Sequence, residues 1–136
     1  MTREKSKALG SWRELSIGYE QALARLPEVL KKEGFGSITE IDLQQTFNAK
    51  LGADFRRYRI FGACNPSFAL QALQEDLRVG VLLPCNVVLY EKEDGTAVVG
   101  AVDPMQTVGA QGDGELDELA EDVGLRLERV LAALAG

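Results

Sequence analysis

Val87-Val88-Leu89-Tyr90-Glu91-Lys92-Glu93-Asp94-Gly95-Thr96-Ala97-Val98-Val99-Gly100-Ala101 decides the fold of this chain. Asp94-Gly95 between two apolar, β-branched runs is a hairpin signal. Thr96 to Asp103 is therefore the returning partner of the strand before it, and the pair is antiparallel. Upstream, Val79 to Tyr90 is nearly all apolar and reads as a strand buried on both faces. Pro84 interrupts it; a residue with no N–H to give a ladder marks a strand start or an edge.

Working outward, Arg56 to Cys64 alternates Tyr58 and Ile60 with arginines, as a strand does. Such a strand puts Tyr58, Ile60, Gly62 and Cys64 on one face and Arg57 and Arg59 on the other. Asn65 before Pro66 is driven out of the helical region and suits an N-cap, while Pro66 is pre-set for a first helical position. A helix carrying Phe68, Ala69, Ala72 and Leu73 inward is expected from there to about Asp76. Further upstream, Tyr19, Ala22, Leu23, Leu26, Val29 and Leu30 keep the spacing of one helical face, and Gly34 follows as a C-cap. Pro27 removes a backbone donor inside that run, which predicts a kink or a late start. Ser37 to Leu43 reads as a short strand running into a short helix. Asp42 caps that helix with Gln45 in the reciprocal position, and Gly52 ends it.

After Pro104, a loop with Gly109, Gly112 and Gly114 leads to the last helix. Its apolar stripe is Leu116, Leu119, Ala120, Val123, Leu127, Val130, Leu131 and Leu134. Asp113, Glu115, Asp117 and Glu118 sit at its positive end and Arg126 and Arg129 nearer its negative end. Strands adjacent in sequence and flanked by amphipathic helices imply an α+β fold, a largely antiparallel sheet packed against helices on one side.

The length of 136 residues suits a single domain, expected over residues 11–136, with residues 1–10 a polar, flexible N-terminal tail. Those first residues lack the apolar run of a secretory signal, and no stretch approaches a membrane span, so a cytoplasmic location is expected. The net charge is −6, and seven acidic residues against one Arg between Gln111 and Glu128 account for all of it. No Lys/Arg cluster exceeds the pairs Lys31-Lys32 and Arg56-Arg57, which excludes a phosphate-backbone binder, so nucleic acid is not an expected partner.

Two cysteines sit in near-mirrored tripeptides, Cys64-Asn65-Pro66 and Pro84-Cys85-Asn86, and there is no histidine. The commonest general base and metal ligand is thus missing. A closed zinc site needs four N or S ligands, and one chain offers two sulfurs. No nucleophile elbow, phosphate loop or dinucleotide glycine motif is present. Cys64 lies just before a helix N-terminus, but a helix end is worth roughly 0.3–1 kcal/mol, which moves a thiol pKa from about 8.5 only to about 7.8. Free cysteines otherwise behave as small buried hydrophobes. Capping alone explains Asn65. Asn86 and Pro84 break an apolar strand, and a buried amide there must find partners in a turn or a bound polar molecule.

Tyr58-Arg59-Ile60-Phe61-Gly62-Ala63-Cys64-Asn65-Pro66 with Ala69, and Gly80-Val81-Leu82-Leu83-Pro84-Cys85-Asn86-Val87, resemble the signature of the domain-of-unknown-function 302 family. Gly34-Phe35, Ile41-Asp42 and Asp103-Pro104 fit the same pattern, so the likeness runs from about Leu15 to about Leu134. The resemblance implies a compact TATA-binding-protein-like α+β fold of β-α-β-sheet-α topology, seen as a small homodimer, with no activity assigned.

The reading that follows is a non-catalytic ligand-binding or interaction module, with a pocket lined by Cys64, Asn65, Cys85 and Asn86. No cofactor, metal or catalytic residue is assigned. A small-molecule ligand and a second copy of the chain are the expected partners. The alternative is a thiol-dependent redox or soft-metal protein using Cys64 and Cys85 together.

Overall fold

The structure, a computed structural model, describes residues 9–111 and 114–136. Most of the tail expected over residues 1–10, and Gly112 and Asp113 before the last helix, lie outside the described residues. Five strands form one sheet: β1 (Ser11–Glu14), β2 (Gly36–Asp42), β3 (Tyr58–Cys64), β4 (Cys85–Glu91) and β5 (Ala97–Ala101). Their spatial order is β1-β5-β4-β3-β2, and every neighbouring pair is antiparallel. The hairpin read from Asp94-Gly95 joins β4 to β5. Gly95 takes φ +90°, and the Lys92 N–H donates to the Thr96 carbonyl at 2.8 Å.

Register fixes the two faces, since directly opposed residues of an antiparallel pair share one. Phe61 opposes Val87 and Ala63 opposes Cys85, while Leu89 opposes Val99 and Val87 opposes Ala101. All of these are buried. On this face lie α1 (Tyr19–Lys32) and α4 (Gly114–Ala135), whose Leu26, Leu30, Leu127 and Leu131 complete the core. The opposite face pairs Tyr58 with Tyr90, Ile60 with Val88, and Gly100 with both Val88 and Trp12. It carries an aromatic row from Trp12 through Tyr90, Tyr58 and Phe55 to Phe47, with successive ring centres 5.2–6.1 Å apart.

The remaining helices are α2 (Leu43–Leu51) and α3 (Pro66–Glu75). Asp42 accepts from the Gln45 N–H at 3.0 Å to start α2, and Gly52 ends it at φ +63°. Helix α1 begins at Tyr19 and continues through Pro27, so the late start anticipated from the proline does not occur. Gly34, at φ +88°, follows its C-cap. Strand β1 supplies the sheet edge next to β5 and is fastened to α4 by the 2.8 Å Arg13–Glu128 ion pair.

The long strand expected over Val79 to Tyr90 is corrected in two respects. Leu77–Leu82 is a 3-10 helix, and only Cys85–Glu91 is strand. Asp76 caps the 3-10 segment by accepting from the Arg78 N–H at 2.9 Å, and the i+3 bond from Val79 to the Asp76 carbonyl follows. That local capping prevails because no neighbouring strand reaches these residues, and Leu77 and Val81 are 84% and 87% exposed. The β4 strand is also not buried on both faces: Asn86 is exposed and Val88 and Tyr90 are half-buried, since on that side α2 packs through Phe47 and Phe55 beside Tyr58 rather than over β4.

Arg57 and Arg59 project to the helix face, as the alternation requires, opposite Cys64. Arg57 pairs with Glu91 at 2.7 Å and with Glu20, and its guanidinium lies 4.7 Å over the Tyr19 ring. Arg59 pairs with Glu40 and with Asp42. These contacts tie the start of α1 to strands β2, β3 and β4, and they leave both guanidinium groups matched by carboxylates rather than aimed at either cysteine.

Candidate functional site

The two cysteine tripeptides meet where β3 gives way to α3 and β4 begins. Asn65 is the N-cap of α3: its side-chain oxygen accepts from the Phe68 N–H at 3.1 Å, and Pro66 takes the first turn. Its amide nitrogen packs close to Gly34, where an added Cβ would lie 3.2 Å away. Pro84, joined to Leu83 by a cis peptide, directs Cys85 into β4 opposite Ala63. Gly62 makes this closure possible. An added Cβ would meet Pro84 Cγ at 2.8 Å and would overlap Thr39 Oγ1.

Around this junction lies a pocket of about 210 Å³ lined by Ile38, Ala63, Cys64, Asn65, Phe68, Ala69, Leu83, Pro84 and Cys85. Three of the four residues picked out from the sequence therefore share one cavity. Pleating sends Cys64 and Cys85 toward opposite faces, but the pocket sits at the strand ends and reaches both. Phe68 and Cys85 are buried, whereas Cys64 is half-buried. Ile38, at the register shift between Ser37 and Thr39 of β2, forms part of the lip and is 60% exposed.

Both thiols are free. Burial pushes the Cys85 pKa up to about 11, and the nearby Cys64 adds to the shift by disfavouring a second negative charge. At neutral pH Cys85 is thus a thiol, the unreactive form. Among the described residues, no group of three or more His, Cys, Asp or Glu side chains is placed to hold a metal ion.

Asn86 is not in this pocket. It follows Cys85 by one residue and so faces the other side of the sheet, where it is exposed. The buried amide anticipated from the sequence is corrected on that point, because no described helix packs over Asn86 on this face. Asn86 instead lines a second hollow of about 350 Å³ with Leu9, Gly10, Trp12, Val88, Gly100, Ala101, Val102, Gln106 and Thr107.

Sequence reasoning missed the residues that close both cavities. Ile38 and Phe68 belong to elements that were read correctly, but only the register shift and the capped start of α3 bring them to the cysteines. Trp12 lies in a strand of four residues, too short for alternation to be recognised. The sequence signal available was composition: Trp12 is the only tryptophan of the chain.

A family model described as "Domain of unknown function DUF302" matches residues 13–134. Among solved structures, the chain is similar to one described as "Crystal structure of uncharacterized conserved protein DUF302 from Bacillus stearothermophilus". The two are 34% identical, the alignment covers 94% of this chain and 99% of the other, and the TM-score is 0.86. No curated protein matches the chain.

Proposed function

Because the chain belongs to the DUF302 family, a domain family of unknown function, we propose from its geometry that it is a non-catalytic binding module. Its ligand places a small, uncharged, largely apolar group in the pocket at Cys64, Asn65 and Cys85. One observation carries the reading: both cysteine tripeptides contribute to a single cavity with no charged lining residue. Phe68, Leu83, Pro84 and Ile38 supply apolar walls, and the two thiols supply weakly polar surface. At about 210 Å³ the cavity is smaller than the roughly 300–1,000 Å³ of drug-sized sites, so it suits one arm of a ligand rather than a whole cofactor. The raised Cys85 pKa makes Cys85 a poor attacking thiol for the thiol-redox alternative. Two free thiols suit the reducing cytoplasm expected for the chain. Among the described residues, no helix is long and apolar enough to cross a membrane.

The test is a titration of isotopically labelled protein with benzene, followed by NMR. Saturable shifts at the Ala63 and Ala69 methyl groups are expected, with loss of the Ala63 shift in Ala69→Leu, where the larger side chain at this half-buried position fills the cavity. Absence of any saturable shift at these methyls refutes the binding reading. Rapid alkylation of Cys85 in the folded protein at pH 7 supports the redox alternative instead.

A second reading rests on a different observation, the exposed aromatic face. Trp12, Ile41 and Phe55 are 41–46% exposed on or beside it. Five strands about 4.8 Å apart and some 20 Å long present a footprint of roughly 500 Å². That is short of the roughly 800 Å² per partner of a standard interface, so a second copy covering this face forms a dimer of modest affinity. Sedimentation equilibrium should show a dimer that Phe55→Ser weakens; a monomer at all concentrations removes this reading.

A further inference from the structure

The hollow beside Trp12 stands on observations independent of the cysteine pocket. The Trp12 indole covers Gly100 so closely that a Cβ on Gly100 would lie 2.5 Å from Cδ2. Its N–H donates to the Leu9 carbonyl, and 41% of the residue is exposed. A half-open indole packed on Gly100 is a ready stacking surface. Register puts Trp12, Gly100, Val88 and Asn86 on the same face, so the apolar floor and the Asn86 side chain belong to one hollow.

Its polar groups lie at the rim and differ in kind. Asn86 carries an amide with both donors and an acceptor, and it is exposed. The Gln106 side-chain oxygen accepts from the Gly10 N–H at 3.3 Å, which orients that amide beside the hollow. Thr107 donates its hydroxyl to the Pro104 carbonyl at 3.3 Å, so its oxygen is left as an acceptor.

Charge decides between ligand classes. Among the described residues, none lining this hollow is charged, whereas the hollow on the other side of Trp12 is lined by Arg13, Glu14, Arg56 and Lys92. A phosphate-bearing or carboxylate ligand finds no cation among those lining residues, and the chain carries a net charge of −6. The volume of about 350 Å³ lies within the range of small-molecule sites. We propose that this hollow binds a neutral, planar heteroaromatic ring that stacks on Trp12 and presents a donor and an acceptor on one edge to Asn86. A second copy covering the whole open face would bury Trp12 as well, so the ligand ring and the dimer compete for this hollow.

Trp12 being the sole tryptophan makes the test direct. Adenine and lumichrome, both neutral and planar at pH 7, are titrated against the full chain with tryptophan-selective excitation and, in parallel, calorimetry. The expected result is saturable quenching by at least one probe. Asn86→Ala, at an exposed position, should weaken binding about tenfold, as loss of paired edge hydrogen bonds predicts. Cys85→Ala should leave this affinity unchanged while altering the benzene response of the cysteine pocket, so that failure of one site is distinguishable from failure of the other. Absence of saturable quenching and heat with both probes up to their solubility overturns the proposal, as does wild-type affinity in a folded Asn86→Ala variant.

Discussion

Gly100→Ala is the sharpest perturbation of the sheet's open face. Gly100 lies in β5 with an ordinary negative-φ backbone, so alanine is not strained there and recovers roughly 0.5–1 kcal/mol of chain entropy relative to glycine. The obstacle is Trp12, whose Cδ2 would lie 2.5 Å from the new methyl, with Cε3 and Cζ3 nearer still. The contact is with the rigid body of an indole, so the ring must leave. With 41% of Trp12 exposed, roughly three-fifths of a surface of about 250 Å² is covered, or about 150 Å². At about 25 cal/mol per Å², full exposure costs about 4 kcal/mol as an upper bound. A displaced ring keeps part of its edge contact with Tyr90, so about half of that is expected, and the bond to the Leu9 carbonyl adds about 0.5–1 kcal/mol. After subtraction of the alanine gain, the net loss is about 1–3 kcal/mol. Urea unfolding followed by circular dichroism measures it, and tryptophan emission reports the ring itself, with a red shift expected in the folded variant. Gly36→Ala, also in a strand, is the matched control. Nothing lies within 4 Å of its added Cβ, and no loss of stability is expected there. Unchanged emission together with a loss below about 0.5 kcal/mol in Gly100→Ala would refute the close packing of Trp12 on β5.

Asn65→Ala removes the cap of α3 and should cost about 1 kcal/mol in urea unfolding, while Asn65→Gly costs only a few tenths; equal losses would show that the side-chain oxygen is not the capping group. Cys85 has a folded pKa raised to about 11 from 9.0, so its protonated form is favoured in the native state. Its contribution is full below about pH 9 and is lost as pH rises toward 11, by at most about 3 kcal/mol. The difference in stability between wild type and Cys85→Ala should therefore shrink over that window and stay flat from pH 6 to 8. Glu91 has a lowered pKa because Arg57 hydrogen-bonds its carboxylate, so its contribution is present above about pH 4.5 and disappears as pH falls through the folded value. Glu91→Gln should flatten the acid limb of the stability profile, and an unaltered limb would show that the pair is not formed in solution.

The elements that were legible in the sequence are those whose signal is local. Asp94-Gly95, Asp42 with Gln45, Asn65-Pro66 and Gly34 each act within four residues, and each occupies the predicted turn or cap. The apolar stripe of α4 is long enough for its period to be unmistakable, and seven of its eight positions are buried. Where the reading failed, the deciding contact was elsewhere in the chain. Val79 to Leu83 has strand composition, but an apolar run too short for period to decide adopts what its neighbours permit. The Asp76 cap was available and a partner strand was not. Strand β1 has the reverse history: four residues with no pattern of their own become strand because β5 offers an unpaired edge.

The candidate site follows the same division, and the pleat explains why it separated. Adjacent residues of a strand cannot share a face, so Cys85 and Asn86 were bound to part company once β4 extended through both. Cys64 escaped that rule because it is the last residue of β3, where the chain turns into α3 and the pocket opens around the strand ends. The mirrored tripeptides are therefore not equivalent in space. Cys-Asn-Pro places its asparagine at a helix cap inside the cysteine pocket, and Pro-Cys-Asn places its asparagine across the sheet beside Trp12. Strand alternation alone predicts the split from Pro84 onward. What it could not supply is Trp12, because the pairing of residues 12 and 100 spans most of the chain and leaves no trace in either segment except a glycine where a side chain would otherwise stand.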